Sequence, residues 1–162
     1  MTYLDLLEAI AGVIVRLWPE RPLYRDFCPA DFARPSGFLY VREAGYRDGN
    51  LALVEWSVEA ELTLYAATDA YALESTEALR ADQAAVLAAF GLPVQVGDRT
   101  VRVGAQADTP GPGEAYVVFT ASWTDIRPGY RDPEDPASGG GAPVMEDFAL
   151  HVDVSAAAER KE

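Results

Sequence analysis

Three carboxylates share one side of a single stretch: Glu55, Glu59 and Glu61 within Asn50–Tyr65, NLALVEWSVEAELTLY. Acids side by side on one strand face are how many glycosidases place a general acid beside a base or nucleophile. They are equally what the wet side of a half-buried strand displays. His151 next to Asp153 has the residue types of a general base and its orienting partner. No serine lies in a nucleophile elbow, however, and Cys28 has no reactive signature around it, so His151 reads as a strand histidine on a solvated face. One histidine and one cysteine cannot build a zinc site, and Asp132, Glu134 and Asp135 lack the spacing of a calcium loop. Gly139-Gly140-Gly141 has neither the lysine nor the following helix of a phosphate cradle. The expectation is no catalytic residue, no metal and no cofactor, with Cys28 a small apolar filler.

Charge narrows the partners. Thirteen basic and twenty-six acidic residues leave a net charge of −13, which repels nucleic acid and anionic membranes unless arginines cluster. Arg16, Arg21, Arg25 and Arg34 alternate with Glu20, Asp26 and Asp31, so they form no basic face. From Leu51 to Phe90 seven acids stand against Arg80 alone. A single cysteine permits no internal disulfide, and the N-terminal MTYLDLLEAI lacks the basic start of a signal peptide. No apolar run reaches membrane-spanning length. A soluble protein of a reducing cytoplasm is expected.

The elements that position these residues follow from periodicity. Thr2 caps a helix reaching about Trp18, with Leu6, Ile10, Val13, Ile14 and Leu17 on one stripe, and Pro19 ends it. Pro22–Tyr24 reads as a short strand. Gly37–Glu43 alternates Phe38, Tyr40, Arg42 against Leu39, Val41, Glu43; the turn residues Gly45–Asn50 then join it to the long strand as an antiparallel hairpin. That strand puts Val54, Trp56, Val58, Leu62 and Leu64 on the core side, where a one-residue slip would bury three glutamates. Trp56 is expected between sheet and helix. Asp69 or Ser75 caps a second helix ending near Phe90, with Leu79, Gln83, Val86, Leu87 and Phe90 on its inner face and Gly91 as a left-handed stop. Val94–Val96 and Thr100–Val103 form a second hairpin about Gly97-Asp98, and Glu114–Thr124 and Val144–Val154 are further strands. Residues 126–143, rich in glycine and proline, read as a mobile loop offering Arg127, Tyr130 and Arg131 to a partner, and 155–162 as a frayed tail. The expectation is one domain over 1–162, an α+β sandwich of a mostly antiparallel sheet with two helices packed on it.

Residues 1–65 resemble the tail terminator, or tail completion, proteins of tailed bacteriophages and their prophage relatives. The likeness runs through the first helix, with Leu6, Ile10 and Ile14, then Trp18-Pro19-Glu20-Arg21-Pro22-Leu23-Tyr24, then Phe32-Ala33-Arg34-Pro35-Ser36-Gly37-Phe38, and closes on Leu62-Thr63-Leu64-Tyr65. It implies a non-enzymatic structural protein of a virion or tail-like particle, assembled in the host cytoplasm. Such a protein forms a six-fold ring on the tail tube, ends tube growth and offers a docking surface to the head connector. Its partners would be further copies of itself, the tube protein and the connector or neck proteins, with DNA only as passing cargo and no membrane. In such a ring Glu55, Glu59 and Glu61 would face the channel or an intersubunit seam. Two other classes stay open on the residues alone: a small α+β ligand-binding domain, and a hydrolase using acidic residues.

Overall fold

Thr2 opens the first helix, α1 (Tyr3–Leu17). Its hydroxyl accepts from the Asp5 N–H at 3.2 Å, and the Asp5 carboxylate accepts from the Thr2 N–H at 2.7 Å. This reciprocal box satisfies two donors that a helix start otherwise leaves bare. Leu6, Leu7, Ile10, Ala11 and Ile14 form its buried stripe, and Trp18 caps the end just ahead of Pro19. The computed structural model describes residues 1–68 and 75–131, in which the elements continue as β1 (Leu23–Arg25), β2 (Ser36–Asp48), β3 (Leu53–Tyr65), α2 (Thr76–Ala89), β4 (Val94–Val96), β5 (Arg99–Val101), β6 (Gly104–Ala107) and β7 (Glu114–Ile126). Ser75 is the cap of α2, its hydroxyl accepting from the Ala78 N–H.

Five strands form one sheet in the order β1-β2-β3-β7-β6, and β4 with β5 makes a separate hairpin. Only β1 and β2 run parallel; every other neighbour in the sheet is antiparallel. The fold is therefore α+β, with two helices, among the described residues, on a mostly antiparallel sheet. Both helices and the β4–β5 hairpin lie against one face, where Leu39, Leu62, Leu64, Val117 and Phe119 meet Leu6, Ile10, Leu79 and Val86. Burying side chains of this size stabilises by roughly 1.5–3 kcal/mol each. Gln83, the polar residue on the buried face of α2, donates to the carbonyls of Asp108 and Tyr116 at 2.7 and 2.8 Å, so its burial leaves no amide hydrogen unmatched. Among the described residues no helix is long and apolar enough to cross a membrane.

Several expectations need correction. β2 runs on to Asp48 because its register shifts between Val41 and Glu43. This bulge moves Glu43 from the inner row of the simple alternation to the outer one, opposite Glu59. Trp56 is half-buried rather than sealed beneath a helix; it lies between Tyr46 and Trp123 of the flanking strands, ring centroids 4.9 and 6.0 Å away. Leu87 is exposed. Gly91 has no positive φ, since its N–H turns back to the Ala88 carbonyl in a tight last turn. β6 has no counterpart in the expected elements, because Gly-Ala-Gln-Ala lacks an apolar alternation. Gly104 is needed there, as a Cβ would lie 2.8 Å from Thr120 Oγ1.

The chain divides into two compact units, Met1–Pro128 and Gly129–Glu162. The loop expected over 126–143 starts later than expected: Ile126 is the last residue of β7, and Arg127 is fastened to the first unit. The remainder of that loop beyond Arg131, the strand at 144–154, His151 with Asp153, the Asp132, Glu134, Asp135 group, the glycine triplet and the tail at 155–162 lie outside the described residues, as does Asp69.

Candidate functional site

The face of the sheet turned away from the helices is built by alternate residues of β2, β3 and β7. Period-two alternation sends Glu55, Ser57, Glu59, Glu61, Thr63 and Tyr65 to this side while Val54, Val58, Leu62 and Leu64 go inward. All three predicted glutamates thus share one face. They do not stand there as bare acids. Arg47, directly opposite on β2, gives Glu55 Oε2 two hydrogen bonds at 2.9 and 2.7 Å. Arg42, at the bulge, reaches both Glu59 at 3.1 Å and Glu61 at 3.4 Å. The Tyr40 hydroxyl donates to Glu61 at 2.7 Å, and Glu61, with a side chain 14% exposed, is the most enclosed of the three. The balancing base that Leu51–Phe90 lacks is therefore supplied by the neighbouring strand.

Towards β1 the same face becomes aromatic. Phe38 stacks on Tyr40 at 5.1 Å, Phe32 lies 4.2 Å from Tyr65, and the Arg34 guanidinium sits 5.0 Å from the Phe32 ring and 5.7 Å from that of Tyr65. Thr63, flanked in register by Phe38 and Tyr116, is buried beneath these rings. The Tyr116 hydroxyl donates to Glu114, and that bond, with burial, pushes its pKa up to about 12. Burial, followed by the bond to Glu61, raises Tyr40 in the same way; burial and then Cys28 raise Tyr65. The three phenols consequently stay protonated as hydrogen-bond donors at neutral pH.

Away from the aromatics the face hollows into a groove of about 530 Å³ lined by Glu43, Ser57, Glu59, Arg102, Thr120 and Ser122. Glu43 and Arg102 are exposed, and neither makes an ion pair or side-chain hydrogen bond among the described residues. Sequence reasoning passed over both. Glu43 was hidden by the bulge, and Arg102 lies between two short strands with no pattern to mark it. Among the described residues no group of three or more His, Cys, Asp and Glu is placed to hold a metal ion.

Arg127, expected in a partner-contact loop, makes bonds within its own chain. Its guanidinium donates to the carbonyls of Leu51 at 3.0 Å and Asn50 at 2.8 Å and pairs with Asp48 at 2.9 Å, clamping the β2–β3 turn of its own subunit. Tyr130 is half-buried and Arg131 exposed, both in the second unit.

No family model matches the chain, and no curated protein matches it. One solved chain overlays it with a TM-score of 0.42 at 16% identity, over 78% of this chain and 96% of that one.

Proposed function

We propose that this chain is a structural ring-forming protein that caps a phage-type tail tube, ends its polymerisation and offers a docking surface to the head connector. The observation that carries the reading is the sheet face on which no helix lies among the described residues. Three strands of thirteen residues each present Phe, Tyr and Arg at one end, a grid of cross-strand ion pairs along the middle and a groove of mixed lining beside it. Half-buried aromatics with arginine are the composition of protein interfaces. An extended sheet face of this kind suits repeated contact with further copies and with a tube.

The two motifs behind the family resemblance also have defined places. Trp18–Tyr24 turns α1 into β1, with Arg21 stacked 4.7 Å from the Trp18 ring, and Phe32–Phe38 leads through a cis Arg34–Pro35 peptide into β2. A small-ligand-binding role is the second reading, favoured by the groove. Native mass spectrometry of the purified full chain separates them. A ring reads near six times 17.5 kDa, whereas a particle of 17.5 kDa at every concentration contradicts the assembly.

A further inference from the structure

We infer that neighbouring copies in the ring meet rim to rim across the sheet, with Glu43 of one copy paired to Arg102 of the next; this rests on the ring reading above. Most charges of this sheet face are already matched within the chain. Glu55 holds Arg47, Arg42 holds Glu59 and Glu61, and Glu114 holds the Tyr116 hydroxyl. Glu43 and Arg102 are the exposed charges left over along the groove, and they have opposite sign.

Their positions are complementary. One row of the sheet runs Glu43, Glu59, Thr120, Gly104 across β2, β3, β7 and β6, and Arg102 stands two residues before Gly104. Arg102 therefore stands on the opposite rim from Glu43 and about 7 Å along the chain from that row, a span that a long arginine side chain covers. Among the described residues β1 covers β2 only at Gly37–Leu39, so the β2 rim from Tyr40 to Asp48 has no outer strand, and no described strand lies outside β6. The bulge that carries Glu43 to this face supplies the acid on one rim.

A copy placed with its β2 beside the β6 of its neighbour, strands kept in common direction, brings the carboxylate against the guanidinium. The same step keeps β2 antiparallel to β6, the pairing found throughout the sheet outside β1. Because the two rims differ, the contact is head-to-tail, the kind that a closed ring repeats when the rotation between copies closes. Matched charges of this kind set register and partner choice, and reversing one places like charges together.

Sedimentation velocity on the full chain tests this with Glu43→Arg, Arg102→Glu and the double exchange, each first checked by circular dichroism for the wild-type fold. The expected result is that either single reversal weakens assembly by about tenfold or more in dissociation constant, and that the double exchange restores most of the loss. An oligomer indifferent to both reversals, or a double variant no better than the singles, overturns the pairing and leaves the ring standing. A wild-type chain that stays monomeric throughout overturns both.

Discussion

Trp56 shows how an inward-facing residue can still lie outside the core. It stands on the core side of β3, but at its level the cover comes from Tyr46 and Trp123 rather than a helix, and Tyr46 is itself half exposed. Truncation there should therefore cost less than in the centre. Trp56→Ala is expected to lose about 2 kcal/mol and Phe119→Ala, buried against Phe90, about 4 kcal/mol in urea unfolding. Equal losses would mean that Trp56 is as enclosed as Phe119. Asp125 makes a second point at this scale. Burial alone would raise its pKa, but the Met1 ammonium at 3.1 Å, the Ile126 N–H and Arg99 outweigh burial and hold it below the ordinary carboxylate value. A carboxyl depressed in the folded state stabilises above its unfolded pKa, and that contribution disappears as pH falls through the folded value. Asp125→Asn should thus lower stability at pH 7 and converge with wild type as acid takes the pH below the depressed folded-state value of Asp125. A difference that persists unchanged into acid would sink the assignment. Facing direction was legible in the alternation of Val54 to Leu64. Depth of burial was not, because it depends on where helices from distant segments happen to end.

Among the elements, α1 and the β2–β3 hairpin were legible because each carries its own local signal: a cap and a 3.6-residue stripe for one, alternation flanking Asp48-Gly49-Asn50 for the other. What escaped was the phase of β2, since a bulge changes the facing of every later residue without altering composition. The acidic row misled for a related reason. Reading along one strand, Glu55, Glu59 and Glu61 look unbalanced; reading across the sheet, Arg42 and Arg47 stand beside them. The β2–β3 turn is densely hydrogen-bonded although its residues are exposed. Asn50 Oδ1 accepts from the Ala52 and Leu53 N–H groups at 2.9 and 2.8 Å, and Arg127 ties the Asn50 and Leu51 carbonyls to the end of β7. Removing that clamp with Arg127→Ala should cost about 1–2 kcal/mol and speed amide exchange at Ala52 and Leu53. Unchanged exchange at those two amides would show that the Asn50 bonds hold the turn without help.

At the scale of the molecule, the −13 charge is not spread evenly: the sheet face opposite the helices is close to balanced once its ion pairs are drawn. The acidic excess therefore lies largely elsewhere, part of it in the stretch after Arg131, where eight acids meet two bases. Under the proposed ring reading, such a face would present few free cations to passing phosphates, its acids being held in register by their arginines. The fold class followed from element order, whereas the ion-paired sheet face emerged only when three strands were laid side by side. The most direct test of the central claim is the length distribution of tails, imaged by electron microscopy from cells producing the particle with and without this chain. Uniform tails joined to heads are expected when it is present, and tails of uncontrolled length lacking heads when it is absent. Identical lengths and head attachment in both preparations would contradict it.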